Sequence, residues 1–262
     1  MPVRIAISMP HSRDPEYAER AIPQYERAVA LAGGDPVRIP LDRPDSEVRK
    51  LIEHCDGVLL PGSNADVDPA RFRQTRSPHT AKADPRRDEI DNLLLEDAYA
   101  QQKPVLGICY GLQSLNVFRK GSLIQHIPDF LPETTRTKVN HEAGKKVPIA
   151  HMVEIEPGSA LARIILKDGQ GPKSEAQGPK SEGRVVVPVN SSHHQSADAI
   201  GDGLRIVARC PGDGIIEGLE GTSKNHFVIA VQWHPERSVE QDAPSLAIFK
   251  ALIEAAAKRT GR

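Results

Sequence analysis

Two short runs, Gly57-Val58-Leu59-Leu60 and Pro104-Val105-Leu106-Gly107-Ile108, are apolar at every position and too short to be buried helices. A strand that is apolar on both faces needs cover on both, the signature of a mostly parallel sheet clothed by helices. The surrounding segments fit that frame. Residues 3–7 read as a first strand and 36–40 as a second. Residues 16–32 carry apolar positions at helical spacing, with Pro23 kinking the helix or lying near its start, and Gly33-Gly34 ends it. Residues 46–54 read as a helix, and 84–102 as a longer one, with Asp84 as cap and Pro85 at the first position. This β-α-β-α order predicts an α/β three-layer sandwich.

The second half is richer in strand signals, at 148–155, 184–189, 204–208, 214–219 and 227–231. They predict a smaller antiparallel β addition to the sandwich, and 243–258 predicts a closing amphipathic helix. No Pro/Ser-rich linker divides the chain, so a single domain over 1–262 is expected. QGPKSEA at 170–176 is followed at once by QGPKSEG at 177–183. This polar tandem copy supplies no packed face and reads as a mobile surface insertion over about residues 168–183.

Charge narrows the function classes. Thirty-four Lys and Arg against 35 Asp and Glu leave a net charge of −1, with the basic residues spread along the chain. That argues against nucleic acid and against an anionic membrane as partners. No signal-peptide core or run of about 18 apolar residues is present, so a cytoplasmic protein is expected. The three cysteines, Cys55, Cys109 and Cys210, form no CxxC pair, and the ten histidines show no HExxH spacing. The expectation is therefore no disulfide framework, no metal and no cofactor, with one catalytic cysteine left open.

Gly107-Ile108-Cys109-Tyr110-Gly111 is where that cysteine would be. The pattern switches here from strand to helix, and small residues two before and two after Cys109 allow a sharp turn, as in a nucleophile elbow. Such a turn lifts the thiol out of the sheet at a helix N-terminus, which favours the thiolate, and frees the Tyr110 N–H for an oxyanion. The stretch alone leaves both a spacer thiol and a nucleophile open. A nucleophile also needs a base and an orienting group. The apolar strand ending at Gln232 leads into Trp233-His234-Pro235-Glu236, where His234 and Glu236, two apart in an extended segment, would share a side. Likewise Pro61-Gly62-Ser63 ends a buried strand on the same sheet edge, where the Gly62 or Ser63 amide could be a second oxyanion donor. The loop lacks the G-x-x-x-x-G-K-[ST] pattern of a phosphate cradle.

Jointly, the Pro-Gly loop, the G-x-C-x-G elbow and the His-Pro-Glu end resemble the class I glutamine amidotransferase-like superfamily. The resemblance narrows to its γ-glutamyl-γ-aminobutyrate hydrolase branch. The residues that carry it are Leu60-Pro61-Gly62-Ser63, Asp66-Val67-Asp68-Pro69, Arg87-Asp88-Glu89, the elbow through Val117, Gly121-Ser122-Leu123, Glu156-Pro157-Gly158-Ser159, Val189-Asn190-Ser191-Ser192-His193-His194-Gln195 and Val231 to Glu236. The resemblance implies a flavodoxin-like sandwich, with Cys109 as nucleophile, His234 as base and Glu236 as its orienter. Ser63 stands where many members carry a second glycine, which sets the donor there apart. The implied reaction is hydrolysis of a small γ-glutamyl compound through a γ-glutamyl thioester. Gln113, one helical turn past Cys109, is well placed to hold the glutamyl group; Asn190, Ser192, His193 and Gln195 are further candidates. His126, His141 and His151 could reach the same cleft or be structural. Two other uses of the scaffold stay open: a glutaminase subunit feeding ammonia to a synthase, and a non-catalytic binding protein. The leaving amine and the oligomeric state, a homo-oligomer included, are open as well.

Overall fold

The computed structural model describes residues 2–167 and 185–262. The tandem QGPKSE segment, read above as a mobile insertion, lies outside the described residues. In chain order the elements are β1 (Arg4–Ser8), α1 (Pro15–Leu31), β2 (Asp35–Ile39), α2 (Asp45–Glu53), β3 (Gly57–Leu60), α3 (Pro85–Gln101), β4 (Val105–Ile108) and α4 (Tyr110–Phe118). They continue as β5 (Leu123–Ile124), α5 (Ile127–Phe130), α6 (Glu133–Arg136), β6 (His151–Ile155), α7 (Ala160–Leu166), β7 (Val185–Val189) and β8 (Ser196–Ala197). The last are β9 (Leu204–Arg209), β10 (Ile216–Gly221), β11 (Val228–Val231) and α8 (Ala243–Thr260).

One sheet runs β2-β1-β3-β4-β11-β10-β9-β6-β7. Its first five strands are parallel and its last four antiparallel. The antiparallel addition expected for the second half is thus a continuation of the same sheet, and β5 and β8 pair separately. Successive side chains of the parallel strands point to opposite faces, as their period of two requires, and both faces of β3, β4 and β11 are buried. Ile5, Ile7, Leu59, Leu106, Ile108, Ile229 and Val231 pack with Ile22, Val29, Phe249 and Leu252 of α1 and α8. Ala6, Val58, Leu60, Val105 and Ala230 pack on the other face with Ile90, Leu94, Leu112 and Leu115 of α3 and α4. That two-sided core is why the runs are apolar at every position.

Caps explain where the helices begin. Asp84 accepts the Arg87 N–H at 3.3 Å, and Asp14 accepts the Tyr17 N–H at 3.0 Å, each with a proline at the next position. Pro23 lies inside α1, and the helix continues through it. Among the described residues no helix is long and apolar enough to cross a membrane.

Strand order reverses between β1 and β3, and the loops after β1, β3, β4 and β11 all emerge at the carboxyl edge of the sheet. In open α/β sheets that edge, at the reversal, is where ligands bind.

Candidate active site

Cys109 follows β4 directly, and its N–H donates to the Val231 carbonyl at 2.8 Å. One hydrogen bond therefore ties the elbow to the strand that carries His234. The backbone of Cys109 has φ 53° and ψ −104°, a conformation costly for any residue with a Cβ. Close approach explains the two flanking glycines. A Cβ on Gly107 would lie 2.8 Å from the Gly111 carbonyl oxygen, and one on Gly111 would lie 2.1 Å from that of Leu60. Backbone atoms on both sides cannot give way. Gly111→Ala is therefore expected to destabilise the fold by about 3 kcal/mol; a urea midpoint equal to wild type would contradict this packing.

His234 and Glu236 are buried beside the cysteine, with Nδ1 of the histidine 2.7 Å from Oε1 of the glutamate. Their meeting has a different cause from the one expected. Instead of an extended segment, Pro235–Arg237 forms a 3-10 turn, which folds Glu236 back onto the ring. Burial opposes a charge on His234, but Glu236 and then Cys109, to which it hydrogen-bonds, outweigh it and raise its pKa to about 9. Burial likewise opposes the charge of Glu236, yet His234 and then Arg237 hold its carboxyl below the ordinary range. The charged form of the His234 ring is thus favoured, held between a carboxylate and a sulfur.

The donors expected for an oxyanion separate. The N–H of Gly62 donates to the Tyr25 hydroxyl at 3.0 Å, so that amide is engaged inside the fold rather than free. Among the described residues, neither the Ser63 nor the Tyr110 N–H has an acceptor. Tyr110, at the first position of α4, and Ser63 thus keep backbone donors unpaired among the described residues, and Gly62 does not.

The other candidates divide in the same way. A cleft of about 590 Å³ is lined by Cys109, His234, Ser63, Gln113, Ser192 and Gln195, a size ordinary for small-ligand sites. Gln113 donates to the Gln195 carbonyl at 3.2 Å and to Gln232 Oε1 at 3.3 Å, which fixes its amide in the wall. Ser192 Oγ accepts from Arg237 at 2.9 Å. Asn190 lies behind the wall, where its carbonyl accepts the His234 N–H at 3.0 Å and its side chain accepts from Arg237 at 3.2 Å. His193 also lines the cleft, but its ring nitrogens turn away, to the Gln195 carbonyl at 2.8 Å and towards Glu217. Cys55 and Cys210 lie elsewhere, and burial pushes their thiols up to about 11 and about 12.

Several cleft residues carried no sequence signal: Tyr17, Arg20, Asn64, Glu142, Lys145 and Arg237 come from loops and helix starts far apart in the chain. Arg87 stood inside a recognisable motif without a role. It is wholly buried, and it donates to Asp91 Oδ1 at 2.8 Å and to the carbonyls of Pro10 at 3.0 Å and Pro61 at 2.7 Å. Its cation also lies 4.8 Å from the centre of the Tyr110 ring.

The family model described as Peptidase C26 matches residues 5–236. The chain belongs to the Peptidase C26 family. Among the similar proteins is a glutamine amidotransferase-like protein of Rickettsia prowazekii, 33% identical over 259 residues, covering 92% of this chain and 90% of that one. Another is the γ-glutamyl-γ-aminobutyrate hydrolase of Escherichia coli K12, 31% identical over 241 residues, covering 88% and 84%. The glutaminase domain of a Trypanosoma brucei CTPS, solved with bound acivicin, shares the fold, with a TM-score of 0.57 and 19% identity over 98% of this chain and 94% of that one. The family and its hydrolase relatives support a hydrolase on this class I glutamine amidotransferase-like fold.

Proposed function

We propose that the chain is a cysteine-dependent hydrolase of small γ-glutamyl amides, acting through Cys109, His234 and Glu236. The observation that carries this reading is the backbone of Cys109, held at φ 53° beside a buried His234–Glu236 pair of 2.7 Å. Such strain persists only where the surroundings over-determine it, and a thiol aimed at an imidazolium is a use for it. Relatives described as γ-glutamyl-γ-aminobutyrate hydrolases supply the substrate class. The cleft suits it: Arg20, Lys145 and Arg237 lie with Asp66 and Glu142 around the thiol, so both an α-carboxylate and an α-ammonium find partners.

The steps follow from the geometry. Cys109 attacks the γ-carbonyl carbon as the thiolate, its proton having passed to His234, and the carbonyl electrons move onto oxygen, towards the amides of Tyr110 and Ser63. His234 gives its proton to the amine nitrogen, the C–N bond breaks and the amine leaves, with a γ-glutamyl thioester remaining on sulfur. Water then attacks that carbon as His234 takes a proton from it, and the C–S bond breaks to release glutamate. Glu236 holds the far nitrogen of the ring and stabilises its charged form throughout.

Incubation with a panel of γ-glutamyl amides and with glutamine tests the reading. Turnover of γ-glutamyl amides by the protein alone supports it; ammonia from glutamine alone, and only with a partner protein present, would make it a glutaminase subunit instead. The pH profile gives a second check. Because His234 must hold a proton to protonate the amine, kcat/KM is expected to fall as pH rises through about 9. Glu236 is the chief group that raises that value, so Glu236→Gln should move the alkaline limb to lower pH and cut kcat by about 10²–10⁴-fold. The same sign holds for stability. With a folded pKa above the ordinary 6.5, the His234 contribution is fully present below about pH 6.5 and fades as pH rises through 9.

A further inference from the structure

A second polar cluster lies behind the cleft wall, outside the residues used above for chemistry. Nδ1 of His141, Nε2 of His151 and Nε2 of His193 sit 3.0, 3.4 and 3.5 Å from one oxygen, Oε1 of Glu217. All four ligand atoms lie within 4.8 Å of one another. Glu217 is fully buried, and His141 and His193 are each 4% exposed. None of the three nitrogens, and neither carboxylate oxygen, makes a hydrogen bond. Five buried polar atoms without hydrogen bonds at one point would be costly in any fold.

The far side of each ring says which form the near side takes. His193 and His151 turn Nδ1 to the carbonyls of Gln195 and Met152, at 2.8 and 3.1 Å, and His141 turns Nε2 to Asp213 Oδ2 at 2.9 Å. Carbonyls and carboxylates only accept, so each outer nitrogen carries the proton. In neutral rings the three inner nitrogens are then bare lone pairs facing a carboxylate. That arrangement repels itself unless a positive charge lies between them, either a proton on His141 Nδ1, 3.0 Å from Glu217 Oε1, or a metal ion. Outer nitrogens held by carboxylate or carbonyl are also the usual support of metal-bound histidines.

We propose that His141, His151, His193 and Glu217 form a closed site for one divalent transition ion of the zinc class. The spacing fits: bonds of about 2.0–2.1 Å to nitrogen and oxygen give a tetrahedron with edges of about 3.4 Å. Three imidazoles and one carboxylate select zinc-like ions over magnesium or calcium, which prefer all-oxygen shells. Four protein ligands leave no position for water, so the ion is structural. It joins the start of β6, β10, the segment before β6 and the 190–195 loop. Ser192, His194 and Gln195 of that loop line the cleft, and the Gln232 N–H donates to the Glu217 carbonyl at 2.8 Å. The ion would thus pin the wall against which a substrate lies. The four ligands come from four separate segments, and for that reason no local spacing in the sequence signals them.

The test uses the full chain, stripped with a chelator and then supplied with Zn²⁺ or Co²⁺ alone. The expected result is one equivalent retained after desalting, a rise in thermal midpoint with either ion, and visible absorption bands of tetrahedral cobalt. Glu217→Gln and His193→Ala should lose the bands and the midpoint rise. His151→Ala, at the edge of β6, is the variant least costly to folding and should weaken retention at least tenfold. A folded wild-type protein that takes up neither ion at micromolar concentration would overturn the site, as protons alone would then occupy it. So would full retention by His151→Ala, which would place the ion elsewhere, for example at His79, His126 and Asp129.

Discussion

Cys109→Ala is expected to lower kcat/KM for every γ-glutamyl amide by about 10⁵–10⁶-fold, the loss typical when a covalent nucleophile is removed. The reason is chemical: without sulfur no thioester forms, and the imidazolium of His234 has no partner to discharge. Fold and binding should survive, because the Val231 hydrogen bond to the backbone of residue 109 and both flanking glycines are untouched. The backbone supplies a sharper form of the same experiment. At φ 53° and ψ −104° an alanine keeps the strain, because it keeps the Cβ, whereas glycine occupies that region freely. Cys109→Gly should therefore be as inactive as the alanine variant yet more stable by about 1 kcal/mol, after its own entropy cost is set against the relieved strain. Denaturant midpoints with Gly above Ala, alongside equal loss of turnover, would show strain held in place for the thiol. Turnover of any panel member by Cys109→Ala at near wild-type rate would remove the nucleophile from the proposal.

How much of this was legible beforehand depended on how local each cause is. The buried parallel strands were readable because a two-sided core leaves its mark on every residue of Gly57–Leu60 and Val105–Ile108. The elbow was readable because the close approach of Leu60 demands glycine at 111, a requirement written at one position. Asp84 as a cap belongs to the same class of local rule. Contacts set by distant elements were not readable. The Gly62 amide is taken by Tyr25, which α1 brings from 37 residues upstream. His193 faces Glu217 on β10 rather than a substrate, and nothing in Asn-Ser-Ser-His-His-Gln tells which of its two histidines turns inward. The His234–Glu236 contact was expected on the right residues through the wrong local geometry, since a proline after His234 is as compatible with a 3-10 turn as with an extended chain.

Arg87→Ala should be the most destabilising single change at the cleft's base, by about 3–5 kcal/mol. A wholly buried guanidinium is tolerable only with every donor placed. Here the partners are Asp91, the Pro10 and Pro61 carbonyls and the face of Tyr110. Truncation strands Asp91, whose other oxygen already lacks a hydrogen bond, although Ser8 would still donate to Oδ1 at 2.8 Å. Lysine is no substitute, because a point charge cannot serve three directions as the planar fork does. Removing both charges separates stability from positioning. Arg87→Met with Asp91→Leu removes both members of the buried pair together and should regain most of the lost stability. Activity should not return with it. Arg87 is what joins the loop after β1, the loop after β3 that presents Ser63, and the ring of the residue following Cys109. Without that joint the proposed oxyanion donors can drift by a fraction of an ångström to an ångström, enough to cost kcat on the order of 10²-fold. A double variant as stable as wild type, with KM little changed and kcat depressed, is the expected outcome, read by urea denaturation and steady-state kinetics. Full kcat in that variant would show that Arg87 serves the fold alone.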